Sequence, residues 1–547
     1  MPHPPATRPS ALAVASPAAA HMAATAGTGL AHRRVALVGG GPTSVYTLWH
    51  LIALPRPLDI TLFEREPVAG PGMPYRDGIN APSLLSNIDS REVPPLADTL
   101  AGFLRGCDRQ ALAEIGLERA EITDDSFFPR LALGRYFIAQ LAVAVAQGRA
   151  RGHRIEIAGR AEVTAIVPGP DGLTLDWHGP SGGASGRFDD VVIATGHTLT
   201  RPTRQNGVIL HQPWPSAALR RFLGQRVGIL GSSLSAIDAA VALAELHGRF
   251  SGEGDDMRWL PGPAAEGFAI EMMSRKGLLP EADWYYPLPL PPLPGLTPAR
   301  AAQERAAGRA GLLDRCMAVL AQDMAALDPD YAARVRPERV EGLAERHFAP
   351  RLAQDPWQYA RTNLAEAEAG RSARTSEPWR RALLAAHQVL EEVVPHLDPV
   401  DLERFHRHLK PVFVDVYASV PHRSVRRMLA LHAAGRLGLT ALGGDYTLAP
   451  QGRGVAISGG FGQITVDAMI DGRGQQPASL AELGFAPDGA DGPAPGDGFD
   501  VPLPEGCPGT FQCLAMPALL RRHPFVQGLV NADRMGRAAA QRIGAAP

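Results

Sequence analysis

Apolar positions along the chain fall into three patterns. In the first, a short β-branched run leads into a glycine-rich turn and then into helically spaced apolar residues. This happens at RRVALVGGGPTSVYTLWHLIAL, where Val35 to Val38 predicts a buried parallel strand and the residues after Ser44 a helix packed on it. A second apolar run, LDITLFERE, follows as the next strand. The pattern recurs at 226–247, RVGILGSSLSAIDAAVALAELH, with its own following strand FAIEMMSRKG at 268–277. Between the copies lies VVIATGHT (191–198), an apolar strand ending in Ala194-Thr195-Gly196-His197. The third pattern covers 299–440, where Ala, Arg, Leu and Glu dominate at helical spacing after the proline-rich PLPLPPLPGLTP (287–298).

These patterns predict an α/β chain of two Rossmann-like dinucleotide-binding domains with an all-helical insertion. The expected boundaries are a disordered leader at 1–33, rich in Pro, Ala, Ser and Thr, then a first dinucleotide domain at 34–205. A second domain begins at 206–298, the helical insertion and return occupy 299–440, and the first domain resumes over 441–547. Residues 486–506 read as a surface loop.

Composition narrows the function. Lys+Arg of 54 against Asp+Glu of 56 gives a net charge of -2, so no basic field favours nucleic acid. No run of 18 apolar residues predicts a membrane span. The short apolar stretch Ala11 to Ala20 is broken by Pro17, which disfavours an export signal. Four scattered cysteines without a CxxC argue against a redox dithiol or zinc knuckle and suit a reducing compartment, so the expected location is cytoplasmic. Oligomeric state is open.

The first turn carries the chemistry of a phosphate cradle. Gly39 permits the tight turn, Gly41 lets the backbone approach a pyrophosphate, and Pro42, Thr43 and Ser44 open the helix whose N-terminus faces the phosphates. Glu64, followed by Arg65, stands 25 residues after Gly39, near the spacing of an acid that binds a ribose hydroxyl. In the second turn Gly231 is followed by Ser232, Ser233 and Ser235, whose hydroxyls suit phosphate oxygens. Its strand ends in Ser274-Arg275-Lys276 instead of an acid, which favours a 2′-phosphate and hence NADPH over NADH. An acid on the first fold and cations on the second suggest FAD in one and the nicotinamide in the other.

Several segments resemble known flavoproteins. Ala194-Thr195-Gly196 resembles the ATG motif of two-dinucleotide-binding flavoproteins, and PSLLSNIDSREVPPL (82–96) is similar to the flavin-containing monooxygenase segment whose Asn lies by the flavin C4a edge; Asn87 matches it. NGVILHQPWP (206–215) resembles the class B monooxygenase fingerprint, with Gln205 in place of its Phe and Trp214 one residue early. GPGMPY (70–75), FFPRLALGRYF (127–137), MMSRKGLLP (272–280), VDAMIDGRG (466–474) and GLVNADRMGRAAA (528–540) are similar to FAD/NAD(P)-binding proteins related to the amine N-hydroxylases. That resemblance implies that Gly528, Asn531 and Gly536 lie near the flavin.

The expected activity is that of an NADPH-using flavin monooxygenase taking O2 and a small-molecule substrate, which forms a C4a-(hydro)peroxyflavin and oxygenates a heteroatom. N-hydroxylation of a small amine or amino acid leads, with Asn87 as the catalytic amide. A flavin halogenase, an NAD(P)H oxidase or reductase, and a flavin-bound scaffold or redox sensor are the alternatives. His197 and His211 are weighed as proton relays near neutral pH and read as structural instead. No metal is expected.

Overall fold

The computed structural model describes residues 32–197, 201–485, 495–496 and 498–546. The leader call of 1–33 lies almost wholly outside these residues, as do Thr198 and most of the 486–497 stretch. The chain runs through β1 (Arg33–Val38), α1 (Pro42–Leu51), β2 (Leu58–Glu64), α2 (Arg130–Ala150), β3 (Arg154–Gly159) and β4 (Asp190–Ile193). It continues with β5 (Val208–His211), β6 (Arg226–Leu230), α3 (Leu234–His247) and β7 (Ala269–Ser274). Among the helices that follow are α4 (Leu343–Leu352), α5 (Pro356–Ala373), α6 (Pro378–Val393), α7 (Lys410–Tyr417) and α8 (His422–Ala433). The chain closes with β8 (Leu437–Ala441), β9 (Ala468–Asp471), β10 (Thr510–Cys513) and α9 (Leu529–Ala545).

Two parallel sheets organise these elements. The first has the order β10-β4-β1-β2-β3, the second β8-β7-β6-β9-β5 with Thr203–Gln205 antiparallel on its edge. In each, the strand before the glycine turn is central: β1 pairs with β2 and β4, β6 with β7 and β9. Apolar runs such as Val35 to Val38 are buried because helices or loops cover both faces, the environment that favours continuous β-branched sequence. The cores divide accordingly. One lies between the first sheet and α1, α2 and α9, and a separate one fills the helical region around Leu320, Leu390, Phe405 and Phe413.

Two expected boundaries move. Thr203–Gln205 already pairs with β5, so the second fold begins before residue 206. More substantially, β9 lies in register against β6, Val227 opposite Ala468 through Leu230 opposite Asp471, so the chain stays with the second sheet well past 441. The antiparallel excursion over 446–466 delays that return strand, and the first fold resumes only after Asp471. Among the described residues α2 alone is long and apolar enough to cross a membrane. It packs within the molecule, burying Leu133, Tyr136, Phe137 and Leu141 in the first core.

Candidate functional site

In the first fold the chain leaves β1 and turns through Gly39-Gly40-Gly41 into α1. Gly39 adopts φ +100°, and a Cβ there would lie 2.8 Å from the Ala194 carbonyl oxygen, at the exit of β4. Both facts require glycine. The Gly40 N–H donates to Glu64 Oε2 at 2.8 Å, and Glu64 Oε1 accepts from the Glu66 N–H at 2.9 Å and sits 3.5 Å from Arg76. Glu64 is therefore buried and held at the end of β2. The Ser44 hydroxyl donates to the Gly39 carbonyl, locking the turn. Gly41 caps α1 with backbone only, Pro42 occupies its first turn, and no acid stands there. The open N–H groups of that first helical turn have no acid within the turn to meet them. Thr195 Oγ1, on the β4 exit that Gly39 abuts, is buried with no hydrogen-bond partner among the described residues.

The second turn repeats this geometry. Gly231 has φ +114°, and a Cβ would lie 2.6 Å from the Gly472 carbonyl oxygen at the exit of β9. Helix α3 also starts without a side-chain cap or an acid in its first turn. The two exits then approach each other, with the His197 ring beside the Gln475 side chain. Two ties hold the folds together: Arg130 donates to Asp238 at 2.8 Å, and the Ser83 hydroxyl to Glu245 at 2.5 Å. An uncapped helix start, a backbone cradle, a buried acid at the next strand and an orphaned hydroxyl suit a dinucleotide. Gly39 to Ser44, Glu64 and Thr195 would hold FAD, and Gly231 to Ser235 a nicotinamide dinucleotide.

Residues 36–198 match the FAD-NAD(P)-binding family, and residues 297–417 match the YdhS-like middle domain. The chain is 34% identical over 521 residues to the uncharacterized protein YdhS of Escherichia coli strain K12, covering 93% of this chain and 97% of that one. This chain belongs to the YdhS family. The fold is shared with DfoA, the cadaverine monooxygenase of Erwinia amylovora solved with FAD, at TM-score 0.52 and 10% identity, covering 94% of this chain and 95% of that one. The ornithine N-hydroxylase of Kutzneria sp. 744 aligns at TM-score 0.49 and 16% identity, covering 94% and 99%.

In this YdhS-family chain the other expected site residues fall in varied settings. Ser232 is buried, and its hydroxyl donates to the Leu278 carbonyl at 2.5 Å, with Ser274 Oγ at 3.0 Å. It fastens the loop after β7 instead of offering its proton to a phosphate. Ser233 is exposed and Ser235 half-buried, both in the turn. Arg275 is exposed, whereas Lys276 Nζ lies 4.1 Å from the Phe348 ring centroid, against the middle domain. Arg65 is half-exposed beside Glu66, and Thr43 and Gly196 lie at the rims of their turns. The Asn531 amide donates to the Phe525 and Gln527 carbonyls at 2.8 and 3.2 Å, setting the loop into α9. A Cβ on Gly536 would lie 2.8 Å from the Thr47 nitrogen, so this glycine lets α9 close onto α1.

Asn87 is exposed on a loop whose neighbours are pinned. The Ser86 N–H donates to Phe128 O at 2.9 Å and the Arg130 N–H to Leu84 O at 2.8 Å. Burial, with Arg130 nearby, drops His197 to about 4, and burial also lowers His211. His197 therefore stays neutral through physiological pH, in keeping with a structural histidine.

Sequence reasoning missed the groups where this loop meets the segment 281–286. Glu92 lies beside Tyr286, and Asp283 pairs with Arg371 at 2.5 Å while accepting from Ser419 at 3.1 Å. Burial, reinforced by the neighbouring Asp89, pushes Glu92 up to about 8 and Asp283 up to about 7. Glu92 lies in the 82–96 segment but not at its matched Asn, and the partners of both acids come from far along the chain, so no local signal marks either.

Proposed function

We propose that this chain is a FAD-dependent, NADPH-using monooxygenase that oxygenates a heteroatom, with N-hydroxylation of a small amine or amino acid as its reaction. The observation that supports it best is the repeated turn. Gly39 and Gly231 each stand at positive φ against the exit of a neighbouring strand, and those exits approach each other at His197 and Gln475. Such a pair suits two dinucleotides approaching each other, and the fold shared with a cadaverine monooxygenase favours an amine. Bound FAD would supply the electron carrier and the activation of O2.

The residues supply orientation. The N-termini of α1 and α3 take the phosphates, Glu64 the ribose hydroxyls, and Arg275 with Lys276 a 2′-phosphate. The Arg130–Asp238 and Ser83–Glu245 ties keep the two folds in one arrangement. Asn87 offers an amide that orients a polar group without contributing an acid. An amine brings its own lone pair, so the reaction needs no carboxylate base.

The purified protein should be yellow, bleach on anaerobic NADPH addition, and recover colour in air. In a panel of small amines and amino acids, at least one should be hydroxylated in proportion to NADPH consumed, and Asn87→Ala should keep FAD but lower that coupling. A polypeptide that stays colourless after soaking in FAD would overturn the proposal, and NADPH oxidation never coupled to any product would reduce it to an oxidase.

A further inference from the structure

The chain leaving β7 is gripped by the middle domain along its length. Arg351 Nη2, from α4, donates to the Leu279 carbonyl at 2.7 Å. Glu281 accepts from the Tyr359 hydroxyl at 2.5 Å and from Arg380 at 2.8 Å, partners on α5 and α6. The Ala282 N–H donates to Asn363 Oδ1 at 2.7 Å, and Asp283 pairs with Arg371. At the near end the same segment is tied to the second dinucleotide turn, through Ser232 and Leu278. Gly277 adopts φ +63° with a Cβ position 2.9 Å from Ala441, so the backbone between Arg275 and Leu278 has little freedom. Lys276 lies within this stretch. Its Nζ sits 4.1 Å from the ring centroid of Phe348, a residue of α4 that is itself 4% exposed.

We infer that Phe348 is a positioning residue for Lys276, and that through it the middle domain sets the preference for a 2′-phosphorylated nicotinamide dinucleotide. The inference rests on the NADPH reading above. A lysine is a flexible point charge, and by itself it contributes weakly to phosphate selectivity because ordering its four-carbon stem costs entropy. The electron-rich face of Phe348 holds the ammonium in one place before any ligand arrives. Arg275, exposed on the neighbouring position, completes a basic pair at the end of β7, where the ribose of a dinucleotide on the second turn terminates. Burial and the adjacent Arg275 lower the Lys276 pKa, a strain that an incoming phosphate dianion relieves.

The test is calorimetric titration of the FAD-loaded protein with NADP+, NAD+ and 2′,5′-ADP, none of which requires turnover. Phe348→Leu keeps apolar volume without a π face and should weaken NADP+ and 2′,5′-ADP about 3- to 10-fold while leaving NAD+ unchanged. Phe348→Trp should retain the discrimination. Lys276→Ala should weaken the same two ligands, and adding Phe348→Leu to it should do nothing further, since the ring acts through the lysine. Equal weakening of NAD+ and NADP+ by Phe348→Leu, no effect on either, or additive effects with Lys276→Ala would each overturn the inference while leaving NADPH use intact. A wild-type protein that binds NAD+ and NADP+ alike would overturn the NADPH reading and this inference with it.

Discussion

The two glycine turns share a backbone but differ in where their side chains reach. In the first, everything folds inward: the Ser44 hydroxyl donates to Gly39, and Glu64 accepts from Gly40 and Glu66. The second turn reaches outward: Ser232 spends its hydroxyl on Leu278, in the segment that the middle domain encloses. The first site is thus completed by elements of its own fold, β2 and the β4 exit. The second depends on a domain inserted after it in the chain. One fold used twice gives a self-contained cradle in one place and a cradle adjustable from outside in the other.

The largest expected effect separates the two directly. Gly39→Ala places a methyl 2.8 Å from the Ala194 carbonyl oxygen in a left-handed conformation, costing about 3 kcal/mol or more and leaving the purified protein colourless. Gly231→Ala meets the Gly472 carbonyl oxygen at 2.6 Å, yet the expected product remains yellow and loses NADP+ binding by about 100-fold or more. Flavin absorbance and NADP+ titration of the two variants check this. Loss of FAD from the Gly231 variant would show that the first cradle is not self-contained.

Local features were legible in the sequence because they are built from neighbours. The strands Val35 to Val38 and Val227 to Leu230, their turns and the following helices each lie within about 20 residues, and the burial pattern follows the apolar runs. What the sequence concealed was long-range. Strand β9 is only four residues, Ala468–Asp471, and comes after an antiparallel excursion, so nothing near residue 441 signals that the second sheet is still incomplete. The serine of the second turn looks available for phosphate until Leu278, 46 residues away, is seen to take its proton. In the sequence Lys276 reads as a cation for a 2′-phosphate, and its packing on Phe348 follows from a helix 72 residues further on.

A smaller perturbation tests the outward tie itself. Arg351 is buried, with Nη1 donating to both Asp415 oxygens at 2.7 Å and lying 3.5 Å from Glu281. Its guanidinium holds the Asp415 carboxyl down at about 2. Arg351→Met leaves the buried Asp415 with only His347 at 3.2 Å, while Glu281 keeps Arg380, an expected loss of about 3 kcal/mol in urea unfolding. Flavin should remain bound in the folded fraction, because no part of the first cradle touches this network. A loss under about 1 kcal/mol would mean that the segment after β7 is held without Arg351.

The smallest effect concerns a place where the flavin-side loop meets that segment, Glu92 beside Tyr286. Burial raises the Glu92 pKa from an ordinary 4.5 to about 8, so the folded protein binds this proton more tightly than the unfolded chain. The corresponding stability is fully present below about pH 4.5 and is lost as pH rises through about 8. Glu92→Gln stays neutral throughout and keeps a polar partner for the tyrosine. Relative to wild type it should therefore gain stability between pH 5 and pH 8.5, on the order of 2 kcal/mol by urea unfolding. Asp283, raised to about 7 beside Arg371, still titrates in the variant, so part of the downward slope survives below neutrality. Identical pH slopes in the two proteins would place Glu92 in solvent.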